Sequence, residues 1–93
     1  MIIKVNLYAT LRLTTGLSSV EVEVRGPIVM RQLIDLACEK TTPKLKADLL
    51  EGQAIKKGTL LLVDGRNVLF LDGLDTLVND QQVIAFFPPG GGG

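Results

Sequence analysis

Histidine and tryptophan are absent from this chain, and cysteine occurs once, at Cys38. Without histidine there is no Ser-His-Asp triad and no Cys-His nucleophile pair. A lone cysteine has no internal disulfide partner, and with no Cys or His at ligand spacing it anchors neither zinc nor an iron–sulfur cluster. Net charge is lacking as well: ten Lys and Arg balance ten Asp and Glu. No overall positive field is available to hold nucleic acid or anionic lipid, so neither nucleic acid nor membrane is expected as a partner. No apolar run approaches the ~20 residues of a membrane span. Met1-Ile2-Ile3-Lys4 passes straight into a strand pattern without a charged leader, so a cytoplasmic location is expected. Neither G-x-x-x-x-G-K-[ST] nor G-x-G-x-x-G occurs. A self-contained active site and a bound cofactor or metal are therefore not expected.

What is present is an apolar fraction of 46% over 93 residues, enough for one domain with a real core. The most unusual stretch is Ile84-Ala85-Phe86-Phe87-Pro88-Pro89 followed by Gly90, Gly91, Gly92 and Gly93. Pro88 and Pro89 remove two backbone donors and end strand pairing. Beyond them lies a tether without side chains, at most roughly 20 Å long from Pro88 at ~3.3–3.6 Å per residue. The functional reading makes the α-carboxylate of Gly93 the reactive group. A carboxylate is a poor acyl donor until it becomes a mixed anhydride, for instance with AMP, and glycines let a narrow channel close on the backbone. The bland alternative is a frayed, inert chain end.

Hydrophobic periodicity supplies the rest of the architecture. Ile3, Val5 and Leu7 alternate with Lys4, Asn6 and Tyr8, and Val20, Val22 and Val24 alternate with Glu21, Glu23 and Arg25. Two half-buried strands joined by a polar connection through Thr14, Thr15 and Gly16 are predicted. Gly26-Pro27 opens a helix with Pro27 in its first turn. On that helix Val29, Met30, Leu33, Ile34, Leu36 and Ala37 form one arc opposite Arg31, Gln32, Asp35 and Glu39. Cys38 sits at the edge of the arc as a half-buried structural thiol. Thr42-Pro43 starts a short helix containing Leu45 and Leu49. The cluster of Lys44, Lys46, Lys56 and Lys57 is partly offset by Asp48 and Glu51, and reads as a solvated face, with a docking surface for an acidic partner as the alternative. Thr59 to Val63 is a strand, Asp64-Gly65 a hairpin turn, and Val68 to Leu71 the returning strand. The last strand, Val83 to Phe87, is apolar on both faces. It is either central or turned toward a partner through Ile84 and Phe86.

Two antiparallel hairpins with a helix across one face make an α+β roll. A last strand parallel to the first would give the ubiquitin-like β-grasp, a mixed four- to five-stranded sheet with one main helix on one face. Residues 1–89 would form that domain and residues 90–93 a flexible glycine tail.

Ile3-Lys4-Val5, Tyr8-Ala9-Thr10-Leu11-Arg12, Leu62-Val63-Asp64-Gly65-Arg66-Asn67 and Ala85-Phe86-Phe87-Pro88-Pro89 before Gly92-Gly93 resemble the MoaD/ThiS-type sulfur carriers, the molybdopterin synthase small subunits among them in particular. The resemblance spans nearly the whole chain. It implies that a ubiquitin-activating-like adenylating enzyme uses ATP to adenylate Gly93, with Gly92 the other glycine of the pair. A sulfurtransferase would then form a thiocarboxylate, and the molybdopterin synthase large subunit would use its sulfur for molybdopterin. The chain would serve as the carrier subunit of that complex. Phe86, Phe87, Pro88 and Pro89, with Ile84 and Tyr8, would be the partner-binding residues. The family's acidic turn before the last strand is here Asn79-Asp80-Gln81-Gln82, and the Ser or Thr before the helix is replaced by Pro27-Ile28. The same carboxyl activation could instead serve thiazole synthesis, tRNA thiolation or attachment to protein lysines, and an inert tail on a binding module is the third alternative.

Overall fold

A computed structural model describes residues 1–90 of the chain. The first strand, β1 (Ile2–Leu7), buries Ile3, Val5 and Leu7 almost completely, as the alternation requires. It pairs antiparallel with β2 (Ser19–Glu23), Val5 opposite Val20 and Ile3 opposite Val22, so the apolar sets of both strands share one face.

The connection between them is not the plain polar loop expected from its threonines. A six-residue helix, α1 (Thr10–Thr15), occupies it, and its fully buried Leu11 is the reason. The Thr15 hydroxyl bonds back to the Leu11 carbonyl at 2.8 Å. Gly16 ends the helix in the left-handed region at φ 76° and donates to the Arg12 carbonyl, the usual glycine C-terminal stop.

A second correction concerns the main helix. Residues 28 and 29 form β3 (Ile28–Val29), and α2 (Met30–Lys40) begins only after it, so Pro27 lies upstream of the first turn. Extended pairing wins here because Ile28 and Val29 bridge to Val78 and Leu77, and the Met30 N–H donates to the Thr76 carbonyl at 2.9 Å. Gln32 at the third helical position accepts from the Val29 N–H at 3.1 Å. That is the reciprocal half of a capping box; valine has no oxygen to supply the other half. Met30, Leu33, Ile34 and Ala37 are all buried, at i, i+3, i+4 and i+7.

The short helix α3 (Lys44–Leu49) follows, with the Thr42 hydroxyl accepting from the Lys44 N–H at 3.3 Å and with Leu45 and Leu49 buried. The two-residue strands β4 (Leu50–Glu51) and β5 (Ala54–Ile55) pair with each other. The strand β6 (Leu60–Val63) turns at Asp64 and Gly65, whose φ values of 51° and 81° suit a type I′ hairpin. The returning strand is shorter than predicted. β7 (Arg66–Asn67) stops because the Asn67 side chain accepts from the Leu69 N–H at 3.0 Å, and Val68–Phe70 winds as a 3₁₀ turn. A second such turn, Gly73–Asp75, leads to β8 (Leu77–Val78), the partner of β3.

The last strand, β9 (Ile84–Phe87), lies parallel to β1 and antiparallel to β6. The five-stranded order is β2-β1-β9-β6-β7, the β-grasp arrangement expected. One cluster gathers Ile3, Val5, Leu7, Leu11, Val20, Met30, Leu33, Leu45, Leu49, Leu61, Ile84 and Phe86, so all three helices feed the same core. Each fully buried Leu, Ile or Phe contributes about 1.5–3 kcal/mol.

Candidate functional site

The root of the glycine segment is where the sequence concentrated its unusual residues. Alternation along β9 divides them between two faces. Ile84 and Phe86 are fully buried beneath the helices. They do not form the partner-facing patch that was one of the two expectations for this strand; the strand is central and they belong to the core. The physical reason is register: Val5 is opposite Ile84 and Leu7 opposite Phe86, and both β1 residues already point inward.

The other face carries the candidate site. Ala85 and Phe87 point outward beside Asn6 and Tyr8 of β1 and opposite Leu62 and Leu60 of β6. The Tyr8 and Phe87 rings stack with centroids 4.4 Å apart and planes 5° from parallel, and both residues are half-buried. Leu60 is 40% exposed and Leu62 half-buried. Further along the same face Ile2 and Val83 are exposed as well. Lys4 and Asn6 separate Ile2 and Val83 from the apolar surface of Tyr8, Leu60, Leu62 and Phe87, which lies where the chain leaves the sheet.

Three features hold that end in place. The Tyr8 N–H donates to the Phe86 carbonyl at 3.2 Å, continuing the parallel ladder by one residue. Arg12 lies over the Tyr8 ring, its Cζ 5.2 Å from the centroid, and its Nε–H donates to the Leu7 carbonyl at 2.8 Å. A guanidinium on an aromatic face is worth about 0.5–1 kcal/mol at an exposed site. On the far side Pro89 packs along Gly58, where a Cβ would come within 3.6 Å of Pro89 and where φ is +90°. Pro88 and Pro89 are half-buried and Gly90 exposed. Gly91, Gly92 and Gly93 lie outside the described residues, and with them the expected acyl site.

Tyr8, Phe87, Pro88 and Pro89 are thus brought together as the sequence suggested, and Ile84 and Phe86 are not. Arg12, Gly58, Leu60 and Leu62 join the site without having been singled out for it. The signal for Leu60 and Leu62 was available in the register of a β6–β9 pair, which only the fold supplies.

The remaining reactive group, Cys38, is half-buried on α2. Burial, with Asp35 adding to it, pushes its thiol above the ordinary range against the opposing backbone hydrogen bond and charge of Lys46. It is a structural thiol rather than an activated one. Among the described residues no cluster of His, Cys, Asp and Glu could hold a metal ion, and no helix is long and apolar enough to cross a membrane.

Comparison with known proteins bears on the fold and the family. Over its whole 93 residues the chain is 28% identical to small archaeal modifier protein 3 of Haloferax volcanii, itself covered completely. One chain of the Amycolatopsis orientalis BexX/CysO complex superposes with a TM-score of 0.84 at 25% identity, covering 98% of this chain and 99% of the other. A Pyrococcus furiosus structure assigned as subunit 1 of a molybdopterin converting factor superposes with a TM-score of 0.72 at 23% identity, covering 97% and 99%; that likeness speaks for the fold alone. The model of the ThiS family matches residues 5–93. The chain therefore belongs to the ThiS family of ubiquitin-like sulfur carriers and modifiers.

Proposed function

We propose that the chain carries sulfur on its terminal glycine for molybdopterin synthesis. A ubiquitin-activating-like enzyme joins the Gly93 carboxylate to AMP, releasing pyrophosphate from ATP. A persulfide carried by a sulfurtransferase attacks the acyl carbon and expels AMP, and a second thiol then cleaves the S–S bond of the acyl disulfide, leaving the thiocarboxylate on Gly93 and a disulfide on the donor. The large subunit of molybdopterin synthase then takes that sulfur into the dithiolene. No group of this chain performs acid–base or redox chemistry in the cycle. Its role is to present Gly93, with Gly92 before it, to successive partner enzymes.

The observation that carries this proposal is the coincidence of the apolar sheet face with the root of the glycine segment. Holding four glycines in one conformation costs roughly 4–8 kcal/mol, at ~1–2 per residue, and glycines bury almost nothing in return. Covering about 300 Å² of apolar surface, at ~25 cal/mol per Å², contributes about 7 kcal/mol. The partly exposed side chains of Tyr8, Leu60, Leu62 and Phe87, together with the partner surface that covers them, would supply that area at the point where the segment begins. A partner that seats on them gains what threading the glycines costs.

A second reading has its own support. The relative matched over its entire length is a modifier protein, and a lysine amine could displace AMP at the same acyl carbon to form an isopeptide. Mass spectrometry of the carboxyl end of the chain isolated from its native cell separates the two. A terminal oxygen replaced by sulfur supports the carrier role, and a Gly93–lysine branch supports conjugation. An unmodified carboxylate that also resists conversion by the purified partner enzymes refutes both.

A further inference from the structure

The balanced net charge conceals a segregation. Residues 1–20 contain no Asp or Glu and neither do residues 52–63, yet these stretches carry Lys4, Arg12, Lys56 and Lys57; residues 81–93 have no charged side chain. The fold brings the two acid-free stretches to the same end of the sheet. Because β9 is parallel to β1, Phe87 ends beside Leu7 and Tyr8; because it is antiparallel to β6, Phe87 lies opposite Leu60. The chain therefore leaves the sheet between the 8–12 segment and the 56–59 turn, with Pro89 against Gly58.

Each flank presents a cation that forms no ion pair among the described residues. The ion pairs among the described residues are Arg31 with Asp75 and Lys46 with Asp35, and neither uses Arg12, Lys56 or Lys57. Asp48 reaches α1, but there it accepts from the Thr14 hydroxyl at 3.2 Å. Arg12 is also held in advance: Nε–H is committed to the Leu7 carbonyl and the guanidinium plane is placed over Tyr8. Its two terminal amino groups remain as a fork suited to a carboxylate. Lys57 is exposed on the opposite turn.

We infer that Arg12 and Lys57 form a cationic collar around the tail exit, and that it receives carboxylate side chains at the mouth of the channel in the activating enzyme. This deepens the carrier proposal and rests on it. Carboxylates are favoured over the phosphate of the acyl-adenylate by distance. Gly93 lies four residues past Pro89, roughly 13–14 Å away in an extended channel at ~3.3–3.6 Å per residue, beyond the length of either side chain. The charges align the chain with the channel mouth, and the apolar face supplies the holding energy.

ATP–pyrophosphate exchange with the cognate adenylating enzyme tests the collar, read as separate KM values for the carrier chain and for ATP at about 50 and about 200 mM salt. Arg12→Ala should raise the carrier KM about tenfold, Lys57→Ala about threefold, and Arg12→Glu with Lys57→Glu at least about a hundredfold. Arg12→Lys should recover part of the loss. The salt dependence of the carrier KM should flatten in the two alanine variants, whereas kcat and the KM for ATP should hold. Lys57→Ala changes an exposed side chain and keeps the test valid if an Arg12 variant folds poorly. An unchanged carrier KM at low salt overturns the inference, and so does a rise confined to the KM for ATP, which would place nucleotide phosphate at the collar. Failure of the unaltered chain to support exchange refutes the carrier proposal and the collar with it.

Discussion

Two adjacent phenylalanines should respond to the same substitution in opposite ways. Phe86 is fully buried in the core, and truncating such a side chain to alanine typically costs about 3–5 kcal/mol. A chain of 93 residues has a total stability of about 5–14 kcal/mol at ~0.05–0.15 per residue. Phe86→Ala should therefore remove a large share of it and lower the thermal midpoint by upwards of about 12 °C, at ~4–8 °C per kcal/mol. Phe87 loses less: its stack on Tyr8 is worth about 0.5–1.5 kcal/mol beyond burial, and its half-buried ring adds a similar amount, for a total of about 1–3 kcal/mol. In partner binding the order reverses. Phe87→Ala removes the aromatic centre of the outer face and should weaken binding of the activating enzyme by about tenfold or more, whereas the folded fraction of Phe86→Ala keeps that face. Urea titration gives both stabilities, and calorimetric titration of the partner gives both affinities. Equal losses of stability, or a binding defect in Phe86→Ala larger than in Phe87→Ala, would refute the assignment of faces.

Three further outcomes follow from the fold. Gly58→Ala should cost about 1–2 kcal/mol through strain at φ +90°, not through collision, because the added Cβ would meet Pro89 at an ordinary 3.6 Å; denaturant midpoints measure it. Asp64→Ala should cost about 1–2 kcal/mol, since it removes the acceptor of the Val83 N–H at 2.7 Å and leaves alanine at φ 51°, whereas Asp64→Asn should retain most of the stability. Cys38 binds its proton more tightly when folded than its ordinary value of 9.0. The folded state thus favours the neutral thiol, and this stabilising contribution is complete below about pH 9 and lost as pH rises through the folded value. Alkylation of Cys38 at pH 8 should be slower in the native chain than in urea, and native rates equal to the unfolded ones would contradict it.

Much of this was legible beforehand, for identifiable reasons. Period-two alternation at Ile3–Leu7 and Val20–Val24, a 3.6-residue arc at Met30–Ala37, and Asp64-Gly65 are local signals that the tertiary structure kept. The departures occur where a side chain or a distant strand competed with local pattern. Leu11 needed a place in the core and wound α1 out of a polar connection. Leu77 and Val78 captured Ile28 and Val29 for a bridge and delayed α2 by three residues relative to Pro27. The Asn67 side chain took a backbone donor and ended the strand expected to run through Leu71. In the candidate site Phe87, Pro88 and Pro89 were visible as composition. Which of Ile84, Phe86 and Phe87 faces outward depends on the register against β1, and alternation alone gives two equivalent answers. The cationic exit was half legible: Lys56 and Lys57 stood out as a basic cluster, but that Arg12 meets them at the root of the tail depends on which segments the fold brings together, and net charge sums over the chain.

The central claim, that Gly93 is the group on which partner enzymes act, is tested most directly by deleting Gly92 and Gly93 and measuring ATP–pyrophosphate exchange and partner affinity on the same protein. The deletion shortens the reach by about 7 Å at ~3.3–3.6 Å per residue, far more than the misplacement that already disables a positioned reaction. The truncated chain keeps the sheet face formed by Tyr8, Leu60, Leu62 and Phe87 and has fewer glycines to order, so it should bind the activating enzyme at least as tightly as the full chain and support no exchange. Exchange at the rate of the full chain would contradict the account.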